Sequence, residues 1–209
     1  MDNGLNELQE KIQYRFKNIS LLERAVTHSS YANEKHLTTG DNERLEFLGD
    51  SVLGFITAEY LFSHHRNFPE GELTRLRSYA VCEKSLFEYA KEIDLGDRLL
   101  LGKGEEMTGG RTRPSVVSDA FEAVIAAIYI DGGIGEAKKF VLRFVEPYVQ
   151  KNQGESLKYV LVSESGPDHD KHFKVEVHLN SNVIGAGVGS SKKKAEQAAA
   201  KEALELMGI

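Results

Sequence analysis

The chain has 209 residues, with 26 Lys and Arg against 32 Asp and Glu, a net charge of −6, and 41% apolar and 28% charged residues, a composition that suits one good core plus a small second one. Its single cysteine, Cys82, excludes an internal disulfide and a cysteine-built metal site. No apolar run approaches the roughly 18 residues of a membrane span, and Met1–Gly4 does not open a signal peptide, so a cytoplasmic protein with no membrane partner is expected.

Leu5, Leu8 and Ile12 stand at helical spacing and predict a first helix; Leu21, Leu22, Ala25 and Val26 predict a second. His28, in Thr27-His28-Ser29-Ser30, reads as a hydrogen-bonded core or cap residue rather than a catalyst. The polar stretch 33–41 leads to Asp41 or Asn42, either of them a good N-cap. The next helix starts at Glu43 and runs to about Leu61. At about 100° per residue, Glu43, Glu46 and Asp50 fall within roughly 60° of one another. Leu45, Leu48, Val52, Phe55 and Ile56 fall opposite. Acids three and four apart repel, and no basic residue interrupts this stripe, an arrangement that suits a divalent cation; a solvated acidic face is the plain alternative.

Phe68-Pro69-Glu70-Gly71-Glu72 is a turn. Leu73, Leu76, Tyr79 and Ala80 start a helix, and another covers about Leu86–Ile93. Residues 102–113 are Gly-rich and charged, lack the spacing of a phosphate-binding loop, and are expected to be a flexible connector. Pro114 suits the first turn of a helix that ends at Asp131-Gly132-Gly133. Within it, Asp119 and Glu122 share a face, with the small Ala123 and Ala126 beside it. A last helix covers about Ile134–Gln150. Residues 1–150 are thus expected to be all-helical.

From Lys151 the texture changes. Residues 1–150 hold 24 acids and 18 Lys and Arg; residues 151–209 hold 8 of each. Residues 151–156 read as a linker. Tyr159–Ser163, the alternating Phe173–Leu179 and Val183–Gly189 read as three strands. Ser190-Ser191 caps a helix reaching about Met207, with Ala195, Ala199 and Leu206 as an apolar stripe. The expectation is an α+β multidomain chain, an all-α domain over 1–150 followed by a small β-β-β-α domain over 157–209.

If the helices carrying Glu43–Asp50 and Asp119–Glu122 pack side by side, four or five acids converge. Without a cation, some of them must take up protons. All-oxygen donors select Mg²⁺ or Mn²⁺ over zinc, and such an ion serves phosphodiester hydrolysis. A di-iron centre would want Glu-x-x-His pairs, which neither Glu43-x-x-Glu46 nor Asp119-x-x-Glu122 supplies. In the tail, Lys192-Lys193-Lys194 opens a helix, where the lysines and the helix N-terminus both attract phosphate. With no aromatic platform for single strands, double-stranded RNA is the fitting partner; a solvated helix start is the plain reading.

Asn42-Glu43-Arg44-Leu45-Glu46-Phe47-Leu48-Gly49-Asp50 resembles the signature of the bacterial ribonuclease III family, and Pro114-Ser115…Ser118-Asp119-Ala120-Phe121-Glu122-Ala123 resembles its second catalytic segment. Ser163-Glu164-Ser165-Gly166-Pro167-Asp168-His169 and Lys192–Ala200 resemble the double-stranded RNA-binding domain. The resemblance implies a Mg²⁺-dependent endonuclease, Mn²⁺ substituting, that cuts both strands of duplex RNA and leaves 5′-phosphate and 3′-hydroxyl ends. Ribosomal precursors and structured messages would be its substrates. It implies Glu46, Asp50, Asp119 and Glu122 as the metal and catalytic set, with Asp50 and Glu122 foremost. Glu43 and Glu70 would be outer acids near the RNA, His169, Lys192, Lys193 and Lys194 RNA contacts, and Phe47 a contact in a homodimer. A non-catalytic duplex-RNA binder is the alternative. One departure stands out: the family's RNA-binding domain begins with a helix, and Gln150–Ser156 leaves no room for it before Tyr159. With every other motif intact, an omitted segment is the expectation, which an intact mass of 23.3 kDa would overturn.

Overall fold

The structure is a computed structural model describing residues 2–152, 157–167, 171–179 and 182–206. It divides into two compact units, Met1–Lys151 and Asn152–Ile209. The first is helical: α1 (Asp2–Ile12), α2 (Ile19–Ala25), α3 (Ser29–Lys35), α4 (Glu43–His64), α5 (Glu70–Ala80), α6 (Glu83–Glu92), α7 (Leu95–Arg98), α8 (Lys103–Met107), α9 (Pro114–Gly132) and α10 (Ile134–Asn152). Among the described residues its only β feature is an isolated bridge, Thr27 to Leu100.

The core forms around α9, which is buried from Val116 to Ile128 on nearly every side, as expected of a helix apolar all round. Pro114 sits in its first turn, and Gly133 ends it at φ 82°, where a side chain would be strained. The Asp131 carboxylate ties the α1–α2 connection to this end by accepting from Tyr14 Oη (2.6 Å) and the backbone N–H groups of Lys17 and Asn18 (both 2.9 Å). α4 lies against α9 and buries Leu45, Val52, Leu53, Ile56, Tyr60 and Leu61. Phe55, placed by periodicity on that apolar side, is 61% exposed.

Two stretches differ from expectation. α3 was not anticipated, because it buries only Ala32 and so shows no apolar period. The 102–113 segment is built rather than loose. Arg111 donates from Nη1 to the carbonyls of Gly96, Asp97 and Leu99 and from Nε to Glu106, while Arg113 bonds Glu105 and Thr108. The arginines of the expected flexible connector are its internal braces.

In the second unit, β1 (Leu157–Ser165), β2 (His172–Leu179) and β3 (Asn182–Gly189) form an antiparallel sheet in the order β1-β2-β3, followed by α11 (Lys192–Leu206). α11 lies over β3 and β2. A Cβ at Gly185, Gly187 or Gly189 would overlap the α11 backbone, so three glycines facing Ala195, Ala199 and Ala203 let helix and sheet meet at backbone distance. Ala203, not Leu206, completes the helix stripe; Leu206 is exposed. α10 continues through Lys151 and Asn152, where a linker was expected, and only residues 153–156 separate it from β1. Among the described residues, no helix precedes β1 within the second unit.

Candidate active site

α4 begins at Asn42, whose buried side chain donates to the Ala25 carbonyl (3.3 Å) instead of capping. The capping role falls to Asp41, which accepts from the Glu43 N–H (3.2 Å). This start sets the rotation of α4, and with it the directions of Glu43, Glu46 and Asp50.

The close approach of α4 and α9 rests on Gly49: a Cβ there would overlap the Glu122 backbone carbonyl. The smallest residue of α4 therefore sits against the backbone of an acid on α9. Contact at that point brings Glu46, Asp119 and Glu122 together, with one oxygen from each within 4.8 Å of the others. Asp50, one turn beyond Glu46, stays exposed outside this trio. It remains close enough to raise the pKa of both Glu46 and Glu122.

The electrostatics follow from burial and like charge. Burial, then Asp50, Asp119 and Glu46, push Glu122 up to about 8. Burial, then Asp119, Glu43 and Asp50, raise Glu46. Burial and Glu83 raise Asp119, against a lowering by His28. At neutral pH and without a cation, Glu122 holds a proton. A raised carboxyl pKa contributes stability below its unfolded value, near 4.5, that is lost as pH rises through its folded value, near 8. The metal-free protein is therefore expected to lose thermal stability between pH 5 and pH 8.5, and Mg²⁺ to restore more of it at the upper end. Melting curves across that range check this. An unchanged slope in Glu122→Gln would remove Glu122 as its source.

The donor set fits a hard divalent cation: all oxygen, close-set, and with every ionised group acting on Glu122 itself an acid. Glu83 escaped sequence reasoning, and His28 is the cap residue expected, though its effect on the site was not read. Glu83 opens α6, and His28 caps α3, its Nδ1 accepting from the Ser30 N–H (3.2 Å). Both act electrostatically on Asp119. Neither shares a helix with an acid of the trio, so no spacing could have revealed their action on Asp119.

The remaining candidates lie elsewhere. Glu43 is exposed beside Glu46. Glu70 starts α5 and accepts from Thr74 Oγ1 (2.8 Å), outside the trio. Phe47 is 78% exposed, and Phe55 and Phe62 continue an exposed aromatic line along α4. Lys192, Lys193 and Lys194 are exposed in the first turn of α11, with Lys194 donating to Ser190 Oγ (3.2 Å). His169 lies outside the described residues.

Comparison with known proteins gives consistent matches. A family model described as ribonuclease-III-like matches residues 18–148, and one described as a double-stranded RNA binding motif matches residues 141–207. Ribonuclease 3 of Clostridium tetani is 44% identical over 225 aligned positions, covering 98% of this chain and 95% of that protein. Ribonuclease 3 of Enterococcus faecalis is 45% identical, covering 98% of each. A solved nuclease domain of ribonuclease III from Campylobacter jejuni, described as showing structural flexibility in a region involved in dimer formation, superposes with TM-score 0.64 at 41% identity. It covers 69% of this chain and 97% of that one. The Clostridium alignment has more positions than this chain has residues. The two family matches overlap at 141–148 within α10, so the end of α10 stands both as a nuclease helix and as the beginning of the RNA-binding motif.

Proposed function

Because this chain belongs to the ribonuclease III family, we propose that it is a double-stranded RNA endonuclease that cuts both strands by metal-assisted hydrolysis, leaving 5′-phosphate and 3′-hydroxyl ends. The observation that carries the mechanism is the convergence of Glu46, Asp119 and Glu122, with Glu122 raised to about 8. Glu46, Asp119 and Glu122, with Asp50 at the exposed side, would hold Mg²⁺, or Mn²⁺ in its place. Once bound, the ion supplies positive charge to the phosphodiester oxygens and an acidified water. Glu122 gives up its proton when the site is loaded. Asp50, solvent-facing beside Glu122, orients the attacking water and accepts its proton. Water attacks phosphorus, the bond from phosphorus to the 3′-oxygen breaks, and that oxygen takes up, through solvent water, the proton that Asp50 received. Glu43 and Glu70, outside the trio, would serve as outer acids near the RNA. Precursors of ribosomal RNA and structured messages are the proposed substrates.

The second unit supplies the duplex grip. Lys192, Lys193 and Lys194 at the start of α11 contact phosphates, and His169 is assigned to the minor groove by its motif. Replacing Lys192 and Lys193 together with Ala is expected to weaken duplex binding and to reduce the slope of log affinity against log salt by about 2. Filter binding across a salt series measures it, and an unchanged slope contradicts the phosphate role. We assign Phe47, heading the exposed aromatic line of α4, to the contact of a homodimer. Phe47→Asp should halve the solution mass seen by light scattering; an unaltered mass would sink that assignment.

The deciding experiment incubates long duplex RNA with the protein in Mg²⁺, beside a chelator control and a single-stranded control. Mg²⁺-dependent shortening of the duplex alone supports the reading. Binding without shortening would leave a duplex-RNA binder.

A further inference from the structure

The first unit holds a cavity of about 630 Å³ to which none of the acid trio contributes. It is lined from α1, α2, α3, the 36–40 connection and the stretch from α7 to Leu100. The wall is largely aliphatic. Leu5, Leu21, Leu37, Leu99 and Leu100 line it, and Tyr31 is the one aromatic ring among the described lining residues. A volume of this size with an apolar lining and few polar groups is that of a small-molecule site.

Most of the polar groups on the wall are already committed. Thr27 Oγ1 donates to the Glu23 carbonyl (2.7 Å), and Ser20 Oγ donates to Asn18 Oδ1 (2.7 Å). Arg111 spends Nη1 on three carbonyls and Nε on Glu106. Arg98 pairs with Glu7 through Nη2 (2.6 Å). Arg24 differs. Its Nε donates to the Asp41 carbonyl (2.8 Å), which holds the guanidinium in place. Among the described residues, its two Nη groups make no hydrogen bond and it forms no ion pair. Arg24 is half-buried, and a charge withdrawn from water is ordinarily paired. The acids on the wall, Glu23 and Asp97, are exposed, where solvent and salt screen them.

A guanidinium fork matches a carboxylate, and here the fork has none while its surroundings are leucine. A nucleotide suits the wall poorly, because Tyr31 is the single ring on which a base could stack and the Thr27 and Ser20 hydroxyls donate elsewhere. From this we infer that the cavity binds a small aliphatic carboxylate, its head on the Nη groups of Arg24 and its chain along Leu21, Leu37, Leu99 and Leu100. The inference goes beyond the nuclease reading and does not rest on it.

The test is calorimetric titration of the full chain, in chelator and without RNA, with hexanoate, octanoate and decanoate. Octanoate is expected to bind once per chain. Each two-carbon step should tighten binding by roughly tenfold, from the methylenes buried. 1-Octanol, which lacks the charged head, should bind roughly tenfold more weakly than octanoate. Arg24→Met should weaken octanoate by roughly tenfold or more and leave 1-octanol unchanged. Leu37→Glu places a negative charge on the wall at a residue 38% exposed, and should also weaken octanoate while leaving the melting temperature of the protein unchanged. If Arg24→Met does not fold, Leu37→Glu decides alone. No saturable binding of decanoate overturns the inference. Equal affinity for octanoate and 1-octanol overturns the assignment of the head to Arg24. Binding that ignores both substitutions but is lost in Phe47→Asp places the ligand on the exposed aromatic line of α4 and overturns the cavity site. Because neither metal nor RNA is present, failure of duplex cleavage would leave this result standing, and the reverse holds as well.

Discussion

Glu122→Gln is expected to lower the single-turnover rate of duplex cleavage by roughly 10³-fold or more while leaving duplex binding in chelator unchanged. The size follows from what one charged ligand contributes to a metal-assisted displacement, several kcal/mol of transition-state stabilisation. Glu122 is the most strongly shifted acid of the trio, held up to about 8 by burial and three neighbouring acids, and its charge is what a cation would draw on most. Glutamine keeps the shape and removes that charge. The variant should also bind Mn²⁺ more weakly, read by calorimetry without RNA present, and should release fewer protons on loading, because the proton Glu122 surrenders is absent. Cleavage at the wild-type rate would take Glu122 out of the mechanism. Lost cleavage with unchanged Mn²⁺ affinity would assign Glu122 to water activation rather than to holding the ion.

Gly49→Ala is expected to be the most damaging single methyl group in the first unit. The added carbon would overlap the backbone carbonyl of Glu122, an atom that cannot swing aside as a side-chain tip would. Overpacking commonly costs about 1–3 kcal/mol and exceeds that when backbone must shift. A cost of about 3 kcal/mol would lower Tm by roughly 6–12 °C in a unit of this size. The same shift would push α4 off α9 and spread Glu46 from Asp119 and Glu122, so metal affinity and cleavage should fall together. Gly54→Ala is the control: it sits on the same helix with open space at its Cβ position and should be neutral or slightly stabilising. If Gly49→Ala melts like the wild type and cuts at the wild-type rate, the helix contact is not what sets the site.

Much of the organisation was legible along the chain because it rests on local rules. The helical spacing of Leu5, Leu8 and Ile12, Pro114 at the start of α9 and Gly133 at its end, and the alternation of Phe173–Leu179 each depend on neighbours within a turn or a pleat. The three-stranded sheet and its C-terminal helix were readable on the same grounds. Where the local signal was weak, reading failed. α3 has one buried residue and no period, and the 102–113 segment read as a flexible connector because the carbonyl and carboxylate partners of Arg111 and Arg113 are not distinguishable in a run of polar residues. Phe55 follows the apolar spacing of α4 yet faces outward with Phe47 and Phe62, since periodicity reports an apolar face but not which neighbour covers it.

The sequence by itself determined the acidic stripe of α4, the acid pair of α9, the lysine start of α11 and the change from helices to strands, each a matter of spacing along a single element. Only the tertiary structure decided that Glu46, Asp119 and Glu122 come within 4.8 Å while Asp50 stands outside, that Glu83 and His28 act on Asp119, and that β1 is left uncovered. The physical reason is that a carboxylate's proton affinity and a strand's exposure depend on atoms brought from distant parts of the chain. Here the approach is set by the missing side chain of Gly49 against the backbone of Glu122, a contact across 73 residues that no local pattern encodes.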